Sequence, residues 1–73
     1  MKVISKITGK EYNSDEAVYC SNMLQMSRYF AYLGDEYFLD IIWSDRKKDS
    51  LVFVWKKCPE TKRAKELWDQ HLL

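Results

Sequence analysis

Tyr37-Phe38-Leu39-Asp40-Ile41-Ile42-Trp43 and Leu51-Val52-Phe53-Val54-Trp55, joined by the polar run Ser44-Asp45-Arg46-Lys47-Lys48-Asp49-Ser50, are the stretch on which the fold turns. Two runs rich in β-branched and aromatic residues, with a charged connection between them, predict an antiparallel hairpin with a long loop. A half-buried strand alternates apolar and polar residues. Here only Asp40 interrupts the Phe38/Ile42 side, and Leu51, Phe53 and Trp55 oppose Val52 and Val54. Both faces are apolar, and such a sheet needs cover on both sides.

Working outward, the segments on either side of the hairpin read as helices. Asn22 is a helix cap whose side chain accepts from the first backbone N–H groups, with Gln25 placed to reach back as in a capping box. Met23, Met26, Phe30 and Leu33 follow at helical spacing, widened by Leu24 and Ala31, with Gln25, Ser27 and Arg28 on the far side. Gly34 is the stop. The spacing predicts a helix over 23–33. Beyond the hairpin, Cys58-Pro59-Glu60 opens a second helix: proline suits the first turn and Glu60 the positive end of the dipole. Its apolar stripe is Ala64, Leu67, Trp68, His71 and Leu72.

Nearer the N-terminus, Ala17-Val18-Tyr19-Cys20 reads as a short strand after the polar break Asn13–Glu16. Before it, Lys2–Thr8, a turn at Gly9 and Lys10–Tyr12 form a hairpin extension within residues 1–16. The expected fold is α+β: a small antiparallel sheet with two helices, in the order (β–β)–β–α–β–β–α, in one domain over residues 1–73.

Composition narrows function by exclusion. Twelve Lys+Arg against 11 Asp+Glu leave a net charge of +1 over 73 residues, so attraction to nucleic acid requires a local patch. No stretch approaches the roughly 20 apolar residues of a membrane span, and the N-terminal residues hold no apolar run of secretory-signal length. Cys20, Cys58 and His71 are too few for a zinc site of about four ligands, so no metal or other cofactor is expected. Free thiols fit a reducing compartment, and the expected location is the cytoplasm of a bacterial host.

The run Val18–Asn22, then Gln25, Tyr29 and Tyr32 before Gly34, then Asp40-Ile41, Leu51–Trp55 and a closing helix with Trp68, resembles a family of short proteins of unassigned function. They occur in Gram-positive bacteria, their plasmids and their phages. The likeness covers about residues 18–70 and rests on core and cap positions. The chain departs from the pattern by Trp55 in place of phenylalanine, by a longer charged hairpin loop, and by its N-terminal extension. What the resemblance implies is the order of elements and a mobile-element origin; it brings no catalytic residue with it.

An enzyme needs a nucleophile, an acid–base group or a metal gathered in a pocket. Cys58 at a helix N-terminus and His71 suggest a dyad, but a helix between them holds them roughly 20 Å apart. Asp40 and Asp45 pair only loosely, one in a strand and one in a loop. No enzymatic activity is expected. Arg46, Lys47 and Lys48 in the loop, Lys56 and Lys57 after the second strand, and Lys62, Arg63 and Lys65 on the second helix make a local basic set; with Trp43, Phe53 and Trp55 it gives single-stranded nucleic acid a second-ranked reading, through the hairpin over 43–57. Asp45, Asp49, Glu60 and Glu66 interleave with those cations and weigh against it.

Three Trp, five Tyr and three Phe exceed what one small core easily hides. Either the N-terminal hairpin covers the second sheet face, or that face and tyrosines such as Tyr12, Tyr19, Tyr32 and Tyr37 await a partner. The expectation is a small protein-binding module of a phage or other mobile element. It would bind and modulate a host protein or self-associate as a homodimer, through Trp43, Arg46, Lys47, Phe53 and Trp55.

Overall fold

The strands that Tyr37–Trp55 predicts lie side by side in the computed structural model, which describes residues 1–73. The elements are β1 (Lys2–Ile4), β2 (Glu11–Asn13), β3 (Ala17–Cys20), α1 (Met23–Leu33), β4 (Phe38–Trp43), β5 (Leu51–Lys56) and α2 (Pro59–Asp69). A single 3-10 turn, Ser14–Glu16, links β2 to β3. This is an α+β fold in the expected order. The strands divide into two antiparallel sheets, a β1–β2 hairpin and a three-stranded sheet ordered β3-β5-β4. β5, the most apolar strand, takes the centre, where it is flanked on both sides. It pairs Val18 with Trp55 and Cys20 with Phe53 on one side, and Ile41 with Phe53 and Trp43 with Leu51 on the other.

The two faces of β5 build two cores. Phe53 and Trp55 point to the helices and pack with Met26, Tyr29, Phe38 and Ala64, with Phe30 and Trp68 alongside. Phe30 meets Trp55 at a 53° tilt with ring centroids 4.9 Å apart, and Tyr29 meets Trp55 edge-on at 5.7 Å. Val54 points the other way, against Tyr12 and Leu39, with Val3 and Ala17 alongside. The N-terminal hairpin therefore covers one end of the second face. A buried carboxylate fastens it: Asp40 accepts from the Ser5 hydroxyl at 2.7 Å, the Tyr12 hydroxyl at 2.8 Å and the Ile41 N–H at 2.8 Å. A bulge between Phe38 and Asp40 turns both Leu39 and Asp40 toward the hairpin.

Several local expectations are corrected. β1 stops at Ile4 rather than running to Thr8, because the Ser5 hydroxyl accepts from the N–H groups of Ile7 and Thr8 and curls the chain. Gly9, at φ 75°, then closes the hairpin. On α1 the Asn22 cap forms, its side chain accepting from Gln25 N–H at 3.0 Å, and Gly34 ends the helix at φ 71°. The Gln25 side chain does not reach back, however. It is buried, accepts from the Cys20 thiol at 3.3 Å and donates to the Tyr29 hydroxyl at 2.9 Å, which satisfies it inside the helix–sheet interface. The buried stripe runs through Met26 and Tyr29, leaving Met23 and Leu24 exposed. α2 ends at Asp69, so His71 and Leu72 lie beyond its apolar stripe.

Candidate functional site

The residues of the expected interface separate into two groups. Phe53 and Trp55 belong to the core; Trp55 has no exposed surface at all. They are corrected from interface to scaffold, because β5 is the central strand and both helices close over its Phe53/Trp55 face. Trp43, Arg46 and Lys47 remain together at the open end of the sheet, where the hairpin and the helices both stop short.

Trp43 ends β4 with 69% of its surface exposed. Beside it lies a cleft of about 670 Å³ floored by Tyr19, Ile42 and Val52 and rimmed by Asp45, Arg46 and Lys47. Strand alternation explains the floor. Ile42 and Val52 are cross-strand partners on the face opposite the helices, beyond the reach of the N-terminal hairpin. The rim is a defined turn. The Ser44 hydroxyl accepts from Arg46 N–H at 3.2 Å and Lys47 N–H at 3.1 Å, and Ser44 N–H donates to Ser50 C=O at 2.9 Å. Asp49 takes the left-handed conformation, φ 60°, that lets the chain turn back into β5. The two cations are thus presented on a constrained loop with no ion-pair partner.

Tyr19 also serves the cleft, and the sequence reading placed it among the free tyrosines rather than in this set. Its hydroxyl donates to Ser14 C=O at 2.7 Å, which pins the ring while leaving the residue exposed. The signal was its alternation in β3: Val18 and Cys20 face the helices, so Tyr19 faces away. Of the other tyrosines, Tyr32 is exposed, whereas Tyr12 is buried by its bond to Asp40 and is not free for a partner.

Elsewhere the geometry separates what chemistry would need together. Cys58 caps the start of α2 and His71 follows its end, so the eleven-residue helix stands between them, about 16 Å long. Asp40 is buried under the hairpin and Asp45 lies on the exposed loop. Both cysteines are free, and no three His, Cys, Asp or Glu side chains are grouped so as to hold a metal ion. No helix is long and apolar enough to cross a membrane. Comparison with protein-family models, curated proteins and solved structures finds no match in any of the three.

Proposed function

We propose that this protein is a non-enzymatic protein-binding module that engages its partner through the open end of the sheet, with Trp43 as anchor and Arg46 and Lys47 beside it. The observation that carries the reading is the contrast between two tryptophans at opposite ends of the same hairpin: Trp55, across from Phe38, is fully buried, and Trp43, across from Leu51, is 69% exposed. A large aromatic left in water beside an apolar cleft, next to preordered cations, is the composition of an interface hot spot. In a chain resembling mobile-element proteins, the partner is a host protein whose surface is occluded or modulated by the bound module.

The test is affinity capture from bacterial host lysate, comparing the wild-type chain with Trp43→Ala, after nuclease treatment and at high salt. One protein retained under both conditions and lost with Trp43→Ala supports the reading. Identical capture by the variant overturns it. A wild-type dimer that Trp43→Ala dissolves makes the partner a second copy.

Single-stranded nucleic acid is the second reading, favoured by Tyr19 and Trp43 lining one cleft with Arg46 and Lys47. With Phe53 and Trp55 buried, one of the three expected stacking rings remains exposed. Phosphate contacts make affinity fall steeply with ionic strength, which distinguishes this reading from an aromatic interface.

A further inference from the structure

The three-stranded sheet has two edges, and the chain treats them differently. At β4, side chains of the N-terminal segment occupy the backbone: Lys10 Nζ donates to Phe38 C=O at 2.8 Å and the Thr8 hydroxyl donates to Leu39 C=O at 2.6 Å. At β3, paired only with β5, no residue bonds the outward backbone groups of Ala17–Cys20. An unpaired edge is a template for a further strand. Along it runs a groove of about 540 Å³ between Val18 and the start of α2, walled by the stems of Lys57, Lys62 and Lys65. Lys65 is paired with Asp69 at 2.6 Å; Lys57 and Lys62 have no ion-pair partner.

We infer that the β3 edge accepts an extended acidic segment of a partner protein as a fourth strand. Its alternate apolar side chains enter the groove beside Val18, and its carboxylates meet Lys57 and Lys62. Strand addition supplies affinity through main-chain hydrogen bonds, while the groove and its charge supply selection. The lysines also decide against the competing occupant. A second copy pairing edge to edge about a two-fold axis would bring Lys57 and Lys62 of both chains onto one side of the joined sheet, where like charges repel. A nucleic-acid strand would use the cations but leave the backbone edge idle. This surface lies on the α2 side of β3 and does not depend on the Trp43 cleft.

The experiment is selection of a random peptide library, roughly ten residues long to span a short strand, on the folded full chain, followed by amide hydrogen exchange with the enriched peptides. The expected result is enrichment of segments alternating apolar and acidic residues, with exchange slowed at Ala17 and Tyr19, whose N–H groups point away from β5. The exposed double variant Lys57→Glu/Lys62→Glu should bind the enriched peptides at least about tenfold more weakly. Trp43→Ala should bind them as the wild type does, so failure here and failure of the Trp43 interface are told apart. An empty selection, enrichment without acidic residues, or affinity unchanged in the lysine variant overturns the inference. So does protection of β3 by a second copy alone, or tighter binding of an oligothymidylate probe than of any peptide.

Discussion

The indole N–H of Trp55 donates to the thioether sulfur of Met26 at 3.1 Å, the one hydrogen bond that this fully buried ring makes. A sulfur acceptor is weak, yet an unmade bond in the core leaves a desolvated donor. Met26 therefore does two things at once: it fills the interface between α1 and β5 and it satisfies the indole.

Met26→Leu keeps the volume and removes the acceptor. Volume-conserving swaps usually cost below about 1.5 kcal/mol, and the orphaned indole adds to that, for an expected loss of about 2 kcal/mol. Adding Trp55→Phe removes the orphaned donor, so the denaturant-derived losses of the two single variants should not sum in the double variant. Additive losses would mean that the sulfur contact carries no weight.

Trp43 and Trp55 should part company on truncation. Trp43→Ala is expected to change stability by no more than about 0.5 kcal/mol while abolishing partner binding. Trp55→Ala should lose about 3–5 kcal/mol, much of what a domain this small holds, and unfold in thermal scans. Unfolding by Trp43→Ala would return that residue to the core.

Tyr12 has its phenol pushed up to about 12, first by burial and then by the bond to the Asp40 carboxylate and the charge behind it. The folded chain holds this proton more tightly than the unfolded chain, whose value is 10. The contribution to stability is therefore complete below pH 10 and drains away as pH rises through 12. Tyr12→Phe should cost about 1–3 kcal/mol at neutral pH and flatten that alkaline loss. Hydrogen exchange should show the N-terminal hairpin loosening first, because Asp40 keeps only Ser5 to hold it.

His71 holds the position after α2 that glycine usually takes. Its φ is 59°, its N–H donates to Trp68 C=O at 3.0 Å, and Leu72 N–H donates to Leu67 C=O at 2.9 Å, closing a Schellman motif. His71→Gly should relieve the left-handed cost and gain about 0.5–1 kcal/mol, read as a higher thermal midpoint. A lower midpoint would show that the imidazole makes contacts worth more than the strain.

Most of the fold was legible because its signals are local. Asn22, Gly34 and Pro59 mark helix ends through the bonding needs of the backbone, and the Leu51–Trp55 run marks a strand with two dry faces. The last turn of α2 was overextended, since the apolar spacing of His71 and Leu72 outlasts the helix. Exposure was legible at Trp43, Arg46 and Lys47. It was misread at Phe53 and Trp55, because an aromatic strand reads the same whether its ring faces water or another helix. The β3 edge had no signature in the sequence: a strand shows its own propensity, not which of its sides is left unpaired.

By itself, then, the sequence determined the α+β order, the helix caps and the demand that both sheet faces be covered. These follow from hydrophobic pattern and backbone chemistry within a few residues. Only the tertiary structure decided how that demand is met. Asp40, joined to Ser5 and Tyr12 across 35 and 28 positions, ties the N-terminal hairpin over Val54 and leaves Ile42 and Val52 beyond its edge. Which apolar residues stay in water depends on how far a three-residue strand can reach, and that is a property of assembled lengths rather than of any one segment.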